Sequence, residues 1–355
     1  MANLPAPPES APSHQRSYFY VGGRYSDDGT GKGEHIFQDQ MYVEQLTPVA
    51  AANWLNTPDG REGWASWLTR HGYAVYIIDF TARGRSGTAG YAPTTPQQQL
   101  SAESVQRFFT ATGEYGLWPE ASLHTQWPGT GKMGDPTFDA YYASTTPVFH
   151  PTVTQQHTMQ AAGAALFDRI GAAILITHSR GAPMGWLWAD ARPDLVKGIV
   201  ALEPLGPPFC DRILRTGATR KYGLTDIPLT FDRPVDDDAS SSDKPLGHAF
   251  EADFYEICRG RKKPVEDEKK PAIILVNLRH VPILVVTGQS SYHVVYDRDT
   301  VAFLRYVGVE DVTHLELARE GILGNGHLFF MEKNNLEILS TLERWIGAIG
   351  RLSGK

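Results

Sequence analysis

The chain has 355 residues, 33 Lys and Arg against 40 Asp and Glu, and a formal charge of -7 with histidine neutral; 41% of residues are hydrophobic and 21% charged. That length and balance suit a soluble globular protein of one large domain or two small ones, and the absence of a basic stripe interleaved with aromatics argues against nucleic-acid partners. No apolar run approaches the ~18 residues of a membrane span, and two isolated cysteines, Cys210 and Cys258, make neither a disulfide framework nor a zinc site.

Residues 1–16 are Pro-rich without an apolar h-region and read as a disordered lead-in rather than a signal peptide, which sets cytoplasmic as the expected location. A single domain is expected over 17–349. It opens with two antiparallel strands, 17–25 (SYFYVGGRY) and 34–46 (EHIFQDQMYVEQL), joined by a Gly/Asp-rich turn. Residues 59–71 read as a helix, with Asp59 as a possible cap and Trp64, Trp67 and Leu68 on its inner face. YAVYIIDF (73–80) is the continuous apolar run of a buried parallel strand.

A helix at 155–169 leads into the strand 172–179, followed by a short helix near 181–191. Strands follow at 196–204, 280–288 and 312–319, with helices at 299–308 and 333–348. This alternation predicts an α/β fold: a mostly parallel sheet flanked by helices. Two irregular insertions, 84–154 and 206–278, break the pattern. Long excursions at strand ends are where such a sheet builds a cap or pocket.

The chemistry starts at ILITHSRG (174–181). An apolar strand ends in Ser179 and a helix follows, so the hydroxyl is held clear of the sheet and the Arg180 N–H faces a developing oxyanion. Gly181 suits a close strand–helix approach, and Pro183 falls in the first helical turn. The plainer reading of Ser179 is a helix cap. A serine nucleophile needs a base and the base an orienting acid. His327, in GILGNGHLFF after the last strand, is the candidate base. His178, His280, His293 and His314 compete less well by position. Glu203, at the end of the strand after the serine strand, is the candidate acid, since a carboxylate there is costly unless paired. Asp297 and Asp299 are the fallback acids. Arg83, in the turn after 73–80, and the aromatics Trp118, Trp127 and Tyr141 are candidate pocket residues, although a structural turn and a core position explain them equally well. No motif calls for a metal or cofactor.

Together YFYVGGRY (18–25), QMYVEQLTP (40–48), TPDGREGW (57–64), YAVYIIDFTARGRSG (73–87), HTQWPGTG (124–131), ITHSRG (176–181), LEPLGPPF (202–209), GLTDIPLTFDRPV (223–235), PILVVTGQSSYH (282–293) and GNGHLFFMEKNN (324–335) resemble the α/β-hydrolases. More closely, they resemble the bacterial and fungal esterase-like hydrolases related to the Alcaligenes-type esterase. The resemblance implies Ser179 as nucleophile, Glu203 as acid and His327 as base, and a small-molecule ester or related carbonyl substrate. It favours Glu203 over Asp297.

One departure stands out. Where the family has a further strand and an HGxxxTG-like loop before NWxxTPDGREGW, this chain has only Val49-Ala50-Ala51-Ala52, about 13 Å of extended chain. The resemblance puts the absent strand between 73–80 and 172–179 and makes its loop the second oxyanion donor. The departure is read first as a wrongly spliced or deleted stretch. A weakened enzyme with a closed-up sheet and a non-catalytic relative are the alternatives. Rival functions are a lyase or isomerase step on the same fold, as a tailoring enzyme of secondary metabolism, and a weakened or inactive hydrolase-like binding protein. The sequence leaves the oligomeric state open, a homodimer included.

Overall fold

The computed structural model of the chain describes residues 15–27, 31, 35–47, 54–87, 99–147, 151–213, 217–233 and 273–353. Nearly all of the expected lead-in, most of the first turn, Val49–Ala52, the charged stretch 234–272 and Cys258 lie outside the described residues.

The apolar runs become strands in the expected order. β1 (Gln15–Asp27) and β2 (His35–Thr47) pair antiparallel, and β2 pairs antiparallel with β3 (Val75–Asp79). A second sheet holds β4 (Ala173–His178), β5 (Val196–Leu202), β8 (Ile283–Thr287) and β9 (Val312–Glu316), all parallel, in the order β4-β5-β8-β9. Between β5 and β8 the chain makes one small ladder of β6 (Cys210–Asp211) with β7 (Gly217–Ala218). The central sheet is therefore mostly parallel and has fewer strands than an eight-stranded hydrolase sheet.

Helices cover both faces, and the period-2 alternation of side chains decides which residue meets which layer. Ile199 and Ala201 of β5, with Ile283 and Val285 of β8, pack on one side against α5 (Thr152–Ile170), α6 (Ala182–Ala191) and α7 (Asp297–Tyr306). Val200, Leu202, Leu284 and Val286 face the other way, onto α1 (Trp64–Arg70) and α8 (Asn335–Ser353). The first insertion carries short helices α2 (Ala102–Val105), α3 (Thr112–Tyr115) and α4 (Pro136–Ala143).

β3 and β4 do not pair with each other among the described residues. All five residues of β3 are only half-buried, as are five of the six in β4, whereas every residue of β8 is buried. A cavity of about 510 Å³ lies between them, walled by Val75, Tyr76, Ile77 and Ile78 on one side and Leu175, Ile176 and Thr177 on the other.

Two local expectations need correction. α1 begins at Trp64 with Gly63 as its N-cap. Asp59 instead accepts hydrogen bonds from Thr57 Oγ1 at 2.5 Å and Arg61 Nε at 2.7 Å, closing the turn before the helix. Trp67 is half-buried and stacks on His71, while Trp64 and Leu68 point inward. The tight strand–helix approach is at Gly185, not Gly181. A Cβ at Gly185 would stand 2.8 Å from Thr177 Cγ2, whereas one at Gly181 would make only ordinary contact at 3.8 Å.

The α5–α6 interface has the same character. A Cβ at Gly163 would stand 2.0 Å from Trp188 Nε1, the atom that donates to the Met159 carbonyl at 2.7 Å. Gly163→Ala should therefore destabilise the fold by about 1–3 kcal/mol despite alanine's better helix propensity. Urea denaturation reads this directly, and an unchanged midpoint would show that the helices can part without cost.

Candidate active site

Glu203 follows β5 directly, and its side chain is fully buried. A carboxylate there needs donors, and three converge on it. Gly288 N–H donates to Oε1 at 2.8 Å, and the Ser291 hydroxyl and His327 Nδ1–H both donate to Oε2 at 2.6 Å. Burial, aided by the charges of Asp297 and Glu332, pushes the carboxyl well above its ordinary range, opposed by the Ser291 and Gly288 bonds.

His327 is buried and boxed by rings: His293 stacked at 4.9 Å, Phe109 at 4.9 Å, Tyr292 at 5.0 Å and His178 at 4.5 Å. Burial first, then the neighbouring His178 and His293, hold its pKa well below the ordinary histidine value. The imidazole is therefore neutral, with Nδ1–H committed to Glu203 and a lone pair on Nε2. The Tyr292 hydroxyl stands 3.5 Å from that Nε2.

Ser179 opens a single helical turn after β4, with φ at +51°. A non-glycine residue pays about 1–3 kcal/mol for such a conformation and keeps it only where the surroundings enforce it. Here the Ser179 carbonyl accepts from Leu205 N–H at 3.1 Å, tying the serine turn to the β5 exit. Ser179 and His327 line the same cavity, together with Arg180. The structure shows no direct hydrogen bond between them; the Tyr292 hydroxyl lies within reach of both.

The loop that carries His327 is braced from below. The buried Glu332 carboxylate accepts Gly326 N–H at 3.0 Å, Asn325 Nδ2 at 2.8 Å and His124 Nε2 at 2.7 Å. Arg61 then donates to the carbonyls of Met331 and Glu332, both at 2.7 Å. Sequence reasoning missed Glu332, His124, Arg61 and Tyr292 as site residues. Their one signal was position, since each falls inside a stretch that carried the family resemblance.

The other expected residues are placed as follows. His178 is not turned away from the site: its Nε2–H donates to the His327 carbonyl at 2.9 Å, and burial lowers its pKa to about 4. Asp297 is engaged by His293 Nδ1 at 2.8 Å and Thr287 Oγ1 at 2.7 Å, and Asp299 by Arg212 at 3.2 Å, so both fallback acids have other partners. Tyr141 and Arg83 line the cavity. Trp118 and Trp127 do not. Trp118 is buried with Nε1–H donating to the Ser290 carbonyl at 3.0 Å, and Trp127 packs edge-on against Tyr141 from the core side.

Glu203, His293 and His327 place ligand-type atoms within 4.8 Å of one another. Each is already hydrogen-bonded: His293 uses Nδ1 on Asp297 and meets the Tyr296 hydroxyl with Nε2 at 3.1 Å. The cluster fits a proton-handling network better than a set of metal donors, which would need those bonds broken.

No family model matches the chain. It is 40% identical over 346 residues, 96% of its own length and 92% of the other's, to the probable secreted lipase phiG of a fungal species, strain ATCC 74256. A solved bacterial esterase superposes with a TM-score of 0.55 at 19% identity, covering 98% of this chain and 99% of that one, which speaks to the fold. The secreted relative overturns the cytoplasmic expectation. That expectation came from a missing h-region and a low cysteine count, and neither is an address. No helix among the described residues is long and apolar enough to cross a membrane.

Replacing Glu332 by leucine would strand three buried donors. Glu332→Leu should cost about 3–5 kcal/mol of unfolding free energy. Chemical denaturation measures it, and a loss below about 1 kcal/mol would mean that the loop finds other acceptors.

Proposed function

Because the chain belongs to the α/β-hydrolase superfamily of esterases and lipases, we propose that it hydrolyses carboxylic esters through Ser179, His327 and Glu203. The observation that carries this reading is the buried 2.6 Å bond from His327 Nδ1–H to Glu203, which leaves the Nε2 lone pair for the cavity that Ser179 also lines. A neutral, oriented imidazole beside a strained serine is what a general base needs.

In this mechanism Ser179 Oγ attacks the ester carbonyl while its proton passes to His327 Nε2. Glu203 stabilises the imidazolium, and the Arg180 N–H receives the oxyanion. Collapse expels the alkoxide, which takes the proton from Nε2 and leaves an acyl-enzyme. Water then repeats the sequence, with Nε2 accepting its proton and returning it to Ser179 as the acid departs. Tyr292, whose hydroxyl stands 3.5 Å from Nε2, gives way when Oγ turns to the base, since hydrogen bonds at such sites often tighten only with substrate bound.

The family resemblance implies a second oxyanion donor from a strand and HG loop, and the sequence before Asn53 carries no HGxxxTG-like match for it. One donor fewer costs about 3 kcal/mol, roughly a hundredfold in rate, so turnover is expected to be slow. The relative is a lipase, so apolar acyl esters are the first substrates to try, and secretion is the location to test.

The reading predicts that Ser179→Ala lowers kcat on 4-nitrophenyl esters by at least about a thousandfold, to the level left by binding alone. Full activity in that variant would transfer the chemistry to His327 and Tyr292 and make the reaction something other than acyl transfer. The pH profile is a second check. His327 works only when neutral, and burial displaces its protonation below the ordinary pH of 6.5. The acid limb of kcat/KM should therefore have its midpoint below pH 6.5, with the plateau reached by neutrality. A midpoint at or above 6.5 would contradict a desolvated base.

A further inference from the structure

The turn after β3 presents two guanidinium groups with different fates. Arg85 is saturated. Its Nε and Nη2 donate to the Asp79 carboxylate at 2.9 and 3.1 Å, its backbone N–H donates there at 2.8 Å, and its Nη1 pairs with the buried Glu44. The Arg83 side chain, two residues earlier, makes only one hydrogen bond among the described residues, from Nε to Thr146 Oγ1 at 3.0 Å. No described carboxylate comes within ion-pair distance of it.

Arg83 nevertheless lines the 510 Å³ cavity with Ser179, Arg180 and His327, and a smaller recess beside it with Arg180 and Gln155. Burial pulls its pKa below the ordinary arginine value, opposed in part by the charge of Asp79, which Arg85 already engages. A guanidinium has five N–H donors in a planar fork, and among the described residues four of Arg83's make no hydrogen bond to protein. Apolar side chains share the nearby wall, Phe80, Leu100, Met184 and Trp188, beside the polar Gln155 and Gln156 of the recess.

We propose that Arg83 recognises a carboxylate on the substrate, so that the ester hydrolysed at Ser179 is that of a molecule carrying a second, free acid group. This rests on the acyl-transfer reading above. The fork of a single guanidinium matches a planar two-oxygen anion bidentately. The apolar wall takes the carbon skeleton that joins acid to ester. The substrate class is therefore an amphiphilic half-ester or an ester of a hydroxy acid, not a neutral triglyceride-like ester.

The test compares charged esters with their uncharged mates on the full chain. One arm uses 4-nitrophenyl monoesters of the linear dicarboxylic acids from succinic to suberic, each against its methyl-capped form. The other uses 4-acetoxybenzoate against methyl 4-acetoxybenzoate, which puts the acid on the alcohol side. Wild-type protein should prefer the charged member of at least one pair by about tenfold or more in kcat/KM, as a charge-assisted bidentate contact allows. Arg83→Gln should bring that ratio toward one, and Arg83→Lys should keep part of it.

A wild-type ratio at or below one in every pair overturns the proposal without any variant. So does a ratio that survives in Arg83→Gln, because a merely structural arginine would lower both members alike. Ser179→Ala in the same assays separates the two claims. If it still hydrolyses the esters, the acyl-transfer reading fails and this inference falls with it. If it is silent while the charge preference is missing, only Arg83's role is lost. Wild-type protein inactive on every ester removes both.

Discussion

A carboxylate taken fully out of water must find donors or become protonated, and the Glu203 carboxylate organises the molecule around that requirement. Its three donors come from three places: Gly288 after β8, Ser291 in the following turn, and His327 in the loop before α8. They meet only because β5 and β8 are neighbours in a parallel sheet and the chain after β9 folds back over their carboxyl ends. Space there is tight. A Cβ on Gly288 would stand 2.8 Å from the Asn325 carbonyl and 3.1 Å from Glu203 Oε1, so the strand exit must be glycine for the carboxylate and the histidine loop to approach it together.

The same logic extends outward in layers. Glu203 orients His327; Glu332 fixes Asn325 and Gly326 just before it; Arg61 holds the carbonyls of the segment that carries Glu332. Each layer satisfies buried polar groups that the layer inside it creates. The other wall is held by a separate network, in which Arg85 ties Asp79 at the end of β3 to the buried Glu44 of β2. There β3 and β4 expose their facing edges to a cavity, and the catalytic candidates, Arg83 and a largely apolar lining all look into it. The braced half holds Glu203 and His327 in place, and the open half bounds the cavity.

Much of this was legible in the sequence where a local pattern carried it. The runs 172–179, 196–204 and 280–288 are largely apolar because their alternate residues pack on opposite helix layers, and that doubled burial is visible in one dimension. The serine after β4 and the glutamate after β5 could be picked out for the same reason, since strand ends can be counted. Pairings across long separations could not. His124 and Glu332 lie 208 residues apart, and neither is unusual in its own neighbourhood. Asp59 reads as a helix cap until Thr57 and Arg61 are seen to claim it. Trp118 and Trp127 read as pocket aromatics, yet they face the core, because an insertion's fold decides which side a tryptophan shows.

The central claim is that Ser179 is an activated nucleophile. Intact mass of the purified full chain after exposure to a fluorophosphonate, with peptide mapping of the adduct, asks this directly. The account predicts one adduct per chain, located on Ser179. Folded protein that gains no mass, or gains it at another residue, would contradict it.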